Sequence, residues 1–286
     1  MGYLLEGKPV AERLRARIKS NAEELAAAGA TPTLRLLRVG EREDDLAYER
    51  GILKNCGLVG VRCETVALAG DADDAALLGA IEDANRDSSV HGVMLFRPLP
   101  GGLDITKASR ALSPEKDVDC MTPVNLARVL EGAPGGFAPC TPKAAVEMLK
   151  GHGIPLKGAN VVVVGRSLVV GKPLSLLLLN EDATVTVCHS RTKGLPVLTW
   201  RADIVIAAIG KAEFMDESFF GPHSIVVDVG VNDAGGGKIC GDVAFGRTLP
   251  HVKAISPPVG GVGAITTAIL LSHVVDACKA QKRSAV

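Results

Sequence analysis

The sequence predicts an α/β protein of two domains built on parallel sheets, and three observations carry that expectation. Strand-like and helix-like segments alternate along the chain, the order that a parallel sheet with helical crossovers requires. Four consecutive valines, Val161 to Val164, read as a strand buried on both faces, with the leucine run after Pro173 as the helix packed behind it. The chain has 286 residues, room for one large or two modest domains, and its glycine- and proline-rich stretch at 132–136 reads as a linker that puts a boundary near residue 135.

Taken in order, residues 9–28 place Val10, Leu14, Ile18 and Leu25 at helical spacing, and Gly29 ends the pattern. Residues 33–39 read as a strand. Asp44 or Asp45 is positioned to cap a helix carrying Leu46, Tyr48, Ile52 and Leu53 before Gly57 and Gly60. A strand over 61–68, a helix over 73–86 and a strand over 91–96 continue the alternation, ending at Arg97-Pro98-Leu99-Pro100. The segment 113–119 is polar, so it reads as a loop outside the core whose acids are candidates for function. Beyond the linker, Thr141 is the expected N-cap of a helix with Pro142 in its first turn. Strands follow over 160–164, 183–187, 202–210 and 224–232, and Gly260-Gly261-Val262-Gly263 leads into a last helix over 264–280.

Composition limits the function classes. Lys plus Arg and Asp plus Glu number 32 each, so net charge gives no reason to expect nucleic acid or an anionic membrane as partner. Aromatic residues are only 3% of the chain, too few for a base-stacking surface. The opening residues show no basic segment followed by an apolar run, and apolar runs elsewhere are broken well short of about 18 residues, so neither a signal peptide nor a membrane span is expected. The seven cysteines form no C-x-x-C pair and the six histidines are scattered, which points to buried thiols in a reducing, cytoplasmic setting and to no metal held by protein ligands.

Chemistry is first legible at the turn from Gly165 to Gly171. A strand-to-helix turn in a parallel sheet presents backbone N–H groups and the positive end of a helix dipole, which suits a phosphate-bearing cofactor; the competing reading is an ordinary reversal eased by its glycines. A P-loop is excluded, because five residues separate the glycines and Pro173 follows Lys172. The G-x-G-x-x-G fingerprint is absent too, since Arg166 and Ser167 follow Gly165.

Several further pieces run in order: Tyr48, Pro98-Leu99-Pro100, Lys116-Asp117-Val118-Asp119, Pro139-Cys140-Thr141-Pro142, Gly165-Arg166-Ser167, Val170-Gly171-Lys172-Pro173, Cys188-His189-Ser190-Arg191-Thr192, Asp228-Val229-Gly230, Gly241-Asp242-Val243 and Gly260-Gly261-Val262-Gly263. Together they resemble the methylenetetrahydrofolate dehydrogenase/cyclohydrolase family over nearly the full length. The resemblance implies a folate domain over residues 1–135 to which residues 264–286 return, a Rossmann-like NAD(P)-binding domain over 136–263, an active site in the cleft between them, and a homodimer. It also implies that Gly165, Arg166 and Ser167 hold the cofactor phosphates, with Ser190 near the adenosine ribose and Val231 on the nicotinamide side. Arg166 and Ser190 can meet a 2′-phosphate, which favours NADP over NAD. Tyr48 is expected to stack on the folate, Asp119 to bind its pterin ring, and Val259, Gly260, Gly261 and Gly263 to line the folate pocket.

Two departures bear on the chemistry. The family pattern has a lysine four residues after the tyrosine, the acid/base group of the cyclohydrolase step, and a glutamine against it in Gln-Leu-Pro-Leu-Pro; this chain has Ile52 and Phe96. Lys54 is no substitute: at about 100° per residue it lies about 240° around the helix from Tyr48, against about 40° for the fourth residue. Arg97 stays protonated and is a poor base, so Lys54 and Arg97 read as solvated or phosphate-facing charges. Hydride transfer needs no proton donor or acceptor, whereas hydrolysis of the methenyl cation does, and losing such a group costs on the order of 10²–10⁴ in rate. The expectation is a dehydrogenase with weak or absent cyclohydrolase activity; the alternatives are a bifunctional enzyme and a catalytically silent folate- or nucleotide-binding protein. Cys120-Met121-Thr122, Ala144 and Ser256-Pro257-Pro258-Val259 are smaller departures that leave room for a related pterin carrier.

Overall fold

The structure, a computed structural model, describes residues 2–133 and 135–284. Met1, Pro134 of the expected linker, and residues 285–286 of the expected returning segment lie outside the described residues. The chain forms two compact units, one of Met1–Glu12 with Pro139–Thr266, the other of Arg13–Ala138 with Thr267–Val286. The first twelve residues thus belong with the later segment and not, as expected, with the segment ending near 135. The cause is strand pairing: the two-residue strand Tyr3–Leu4 (β1) lies parallel to Ala254 and Ile255. Two residues are too few to show a period.

From helix Gly7–Ala27 (α1) the chain enters strand Thr33–Val39 (β2), buried except for Arg35. Helix Glu43–Val59 (α2) follows. Arg42 is its N-cap, without a side-chain cap bond, and Glu43, Asp44 and Asp45 all lie in the first turn. The expected aspartate cap is replaced by acids facing the positive end of the helix dipole, which need no single capping geometry. The helix runs through Gly57 and stops at Gly60, whose φ of 74° suits glycine. Strand Arg62–Leu68 (β3), helix Asp74–Arg86 (α3) and strand Gly92–Leu95 (β4) complete a three-stranded sheet of order β3-β2-β4, with both pairings parallel. Leu37, Leu77, Ile81, Val93 and Leu95 pack in the core of this unit. Helices Ile105–Ala111 (α4) and Pro123–Glu131 (α5), unread in the sequence, are short.

The 113–119 segment is not the solvated loop its polarity suggests. Lys116 is buried and its Nζ donates to the carbonyls of Ala84, Asn85 and Asp87 at 2.9, 2.9 and 2.7 Å, serving the carbonyl-rich end of α3. Burial pulls this amine below the usual lysine range. Asp117 is buried too and accepts from the amides of Met121 and Thr122 and from Asn125 Nδ2. Paired in this way, both charges can be carried in the interior. Of the segment's three acids, Glu115 is exposed, Asp117 buried and Asp119 partly exposed.

In the other unit, helix Cys140–Gly151 (α6) starts at Pro139, and Thr141 lies inside its first turn instead of capping it. Strand Asn160–Val164 (β5) leads through the glycine turn to helix Gly171–Leu179 (α7), then come strand Thr184–Cys188 (β6), helix Leu195–Trp200 (α8), strand Ile204–Ala207 (β7) and strand Ile225–Asp228 (β8). A small antiparallel pair, Asn232–Asp233 (β9) and Ile239–Cys240 (β10), precedes helix Phe245–Thr248 (α9) and strand Ala254–Ile255 (β11). Helix Gly263–Ser284 (α10) closes the chain. The sheet order is β1-β11-β8-β7-β5-β6, parallel at every pairing. After β5 the chain moves to β6 on one side and then to β7 on the other, so strand order reverses at β5, where parallel sheets open a crevice for ligands.

Candidate functional site

The turn after β5 sits at that reversal. Gly165 has a φ of 146°, and a Cβ there would lie 2.1 Å from the Ala208 carbonyl oxygen beyond β7; a Cβ on Gly171 would lie 2.2 Å from Gly165 O. Both glycines are therefore fixed by a close backbone approach. Among the described residues, the amide N–H groups of residues 166–169 find no protein acceptor, and neither does the exposed Arg166 guanidinium. Ser167 Oγ accepts from the amides of Val170 and Gly171 at 3.1 and 3.4 Å, which shapes the start of α7 and leaves its hydroxyl proton to donate outward. Unpaired amides beside a free cation fit a phosphate-bearing cofactor.

Two more expected cofactor residues follow neighbouring strands at the same end of the sheet. Ser190 lies two residues past β6, whose Cys188 carbonyl accepts from Gly165 N at 2.9 Å, and it is exposed. Val231 follows β8 and is exposed.

Sequence reasoning gave no role to two carboxylates that build this end. Asp228 accepts from the amides of Gly230, Asp242 and Val243 at 2.9, 3.1 and 2.9 Å. Asp242, fully buried, accepts from the amides of Ile209, Gly210 and Lys211 and from Asn232 Nδ2. Between them they tie together the segments after β7 and β8 and the segment after β10. Burial pushes the Asp228 carboxyl up to about 6, against the pull of its three amide donors. Gly230 and Gly241 are needed here, because a Cβ on either would meet the Asp242 or Asp228 carboxylate. The signal in the sequence was each acid's position beside such a glycine.

In the unit of Arg13–Ala138, a second group of expected residues comes together. Tyr48 on α2 is 37% exposed, and its ring meets Phe96 edge-on, with centroids 6.1 Å apart and planes at 83°. Phe96 is 4% exposed, while Ile52, one turn after Tyr48, is wholly buried. Lys54 is exposed. Arg97 is not the unpaired charge expected: its Nη2 donates to Asp119 Oδ2 at 2.6 Å, with the side chains 25% and 21% exposed. The chain turns sharply just after Asp119, where Cys120 adopts a φ of 56°. Tyr48 and Phe96 thus form an aromatic pair, and Arg97, the next residue in the chain, an ion pair with Asp119.

The remaining expected residues, Val259, Gly260, Gly261 and Gly263, belong to the other compact unit. Val259 is exposed, and Gly260 O accepts from Gly7 N at 2.8 Å, so this turn is anchored to the start of α1.

A parallel sheet with a glycine turn, unpaired amides and a free cation at its strand-order reversal defines a nucleotide-cofactor-binding α/β protein with a second α/β unit. Comparison with known proteins narrows this. The family model described as the tetrahydrofolate dehydrogenase/cyclohydrolase catalytic domain matches residues 5–119, and that of the same family's NAD(P)-binding domain matches residues 139–282. Bifunctional protein FolD 1 of Desulfitobacterium hafniense (strain Y51) is 49% identical over 281 residues, covering 98% of this chain and 100% of its own. Among solved structures, bifunctional FolD of Campylobacter jejuni aligns with a TM-score of 0.95 at 34% identity, covering 98% of this chain and 99% of its own. The Trypanosoma brucei methylenetetrahydrofolate dehydrogenase-cyclohydrolase, complexed with NADP and an inhibitor, gives 0.94 at 30% identity, covering 99% of each chain. The chain belongs to the tetrahydrofolate dehydrogenase/cyclohydrolase family.

Proposed function

We propose that this chain oxidises 5,10-methylenetetrahydrofolate to the 5,10-methenyl compound with NADP, and that its cyclohydrolase activity is weak or absent. The observation that carries the second half is the burial of Ile52 and Phe96 beside Tyr48, where the family pattern has lysine and glutamine. Adding water to the methenyl carbon and expelling a nitrogen need a group that moves protons. An aliphatic side chain and a phenyl ring move none, and they exclude water from the carbon.

The chemistry that NADP supplies when bound is acceptance of the hydride. In this reading Gly165, Arg166 and Ser167 hold the phosphates, Ser190 meets the adenosine ribose, and Val231 flanks the nicotinamide. Support for NADP comes from the unpartnered Arg166 and from the NADP in the Trypanosoma brucei structure. Tyr48 stacks on the folate, with the Phe96 ring standing perpendicular to its own; Asp119 binds the pterin ring; Val259, Gly260, Gly261 and Gly263 line the pocket. The unit with the six-stranded sheet serves as the cofactor domain and the other as the substrate domain, in a cytoplasmic homodimer. Among the described residues, no helix is long and apolar enough to cross a membrane.

A second reading is favoured by a specific observation: relatives 43–49% identical are named bifunctional proteins, so another group in this chain performs the hydrolysis. The assay separates the two. Methylenetetrahydrofolate with NADP is followed by reduced cofactor, and the methenyl compound by its enzyme-dependent hydrolysis. Hydrolysis is expected to be slower than oxidation by on the order of 10² or more. Comparable rates establish the bifunctional reading, and tight cofactor binding without any turnover establishes a silent binding protein.

A further inference from the structure

We propose that Arg97 reads the 4-oxo group of the pterin ring, forming with Asp119 a paired donor and acceptor that recognises the ring's lactam edge. The inference rests on the assignment of Asp119 to the ring made above. It starts from the ion pair itself. A single contact, Arg97 Nη2 to Asp119 Oδ2 at 2.6 Å, joins the two side chains. Among the described residues the guanidinium has no other acceptor and Asp119 Oδ1 no other donor. A guanidinium carries five N–H donors and a carboxylate about four lone-pair sites, so most of the capacity of both groups is unspent.

Both groups keep a fifth to a quarter of their surface exposed, and Arg97 directly follows Phe96, the ring partner of the exposed Tyr48. The neighbouring acid differs: Asp117 spends its oxygens on Met121 N, Thr122 N and Asn125 Nδ2 and is buried. Asp117 therefore builds the fold, and Asp119, with Arg97, keeps exposed surface.

The pair matches a particular ligand edge. A 2-amino-4-oxopyrimidine ring presents N–H donors at its 2-amino group and N3 and, next to them, a carbonyl acceptor at position 4. A carboxylate can take the donors, and an adjacent guanidinium N–H can take the carbonyl. The leucine that follows the glutamine in the family pattern Gln-Leu-Pro-Leu-Pro has no donor to offer. Replacing the 4-oxo group by an amino group turns a donor toward the guanidinium, leaving unpaired polar groups, an error that polar sites reject strongly.

The test compares folic acid with its 4-amino analogue. Dissociation constants are measured by calorimetry with NADP saturating, for the native protein and for Arg97→Leu, Arg97→Gln and Asp119→Asn. The native protein is expected to bind the 4-oxo ligand at least about tenfold more tightly than the 4-amino one. Both Arg97 variants should weaken the 4-oxo ligand and bring the ratio near one; Arg97→Gln keeps a polar side chain of similar reach should Arg97→Leu fail to fold. A ratio unchanged in the folded Arg97 variants, with Asp119→Asn weakening both ligands, overturns the role of Arg97 alone. If Asp119→Asn leaves both constants unchanged, the assignment of Asp119 to the ring falls, and the role of Arg97 falls with it.

Discussion

At the scale of single residues, Arg166 carries the sharpest consequence for cofactor choice. It follows a glycine that no other residue can replace without a clash with Ala208, its side chain is exposed, and its guanidinium has no acceptor among the described residues. A 2′-phosphate supplies oxygens that match a guanidinium fork, whereas the 2′-hydroxyl of NAD does not. Arg166→Gln is therefore expected to raise the KM for NADP by about 10–100-fold while moving that for NAD by much less. Initial rates with each cofactor check this, and an equal loss for both would assign Arg166 to the pyrophosphate instead. The sequence made Gly165, Arg166 and Ser167 legible because a strand, a glycine turn and a helix adjoin in the chain. Arg97 was misread because its partner lies 22 residues away, and nothing in local spacing brings the two together. Lys116 and Asp117 were misread for a related reason: polarity predicts exposure only when no buried partner exists.

At the scale of elements, the segments after β7, β8 and β10 have little regular structure of their own and are held by Asp228 and Asp242. That makes their order depend on protonation. The Asp228 carboxyl is raised to about 6 in the fold, against about 3.9 for an unfolded aspartate. Between about pH 4 and 6 the folded chain holds a proton that the unfolded chain has released, so this group's contribution to stability falls as pH rises through that window. Above it, the fold carries the full cost of a buried charge. Relative to Asp228→Asn, the native protein should thus lose on the order of 2 kcal/mol on going from about pH 4 to pH 7. Urea unfolding of both proteins across that range reads it directly; parallel curves would show that Asp228 is ionised alike in both states. Asp242 is the firmer anchor, being fully buried with four donors. Neither acid was given a role in the sequence, since each serves backbone groups brought to it by the sheet.

At the scale of the whole molecule, the alternation of strands and helices made the parallel α/β class and both sheets legible. It left out β1 and β11, whose two residues each show no period, and with them the unit to which the chain's start belongs. The larger consequence concerns the two replacements Ile52 and Phe96, one a turn of helix beyond Tyr48 and the other against its ring. Ile52 is fully buried and Phe96 nearly so, so Ile52→Lys alone puts an ammonium into an apolar interior. Such a group is strongly destabilising or gives up its proton. A glutamine at position 96 would offer it a carbonyl acceptor. The single variant is expected to lose several kcal/mol of stability and to gain no hydrolysis. Ile52→Lys/Phe96→Gln should recover part of that stability and raise methenyl hydrolysis by on the order of 10². Denaturant midpoints and the hydrolysis assay, run on the same preparations, separate the possibilities. If Ile52→Lys alone is stable and hydrolyses the methenyl compound, the two positions are independent, and burial beside Tyr48 is not what limits the second activity.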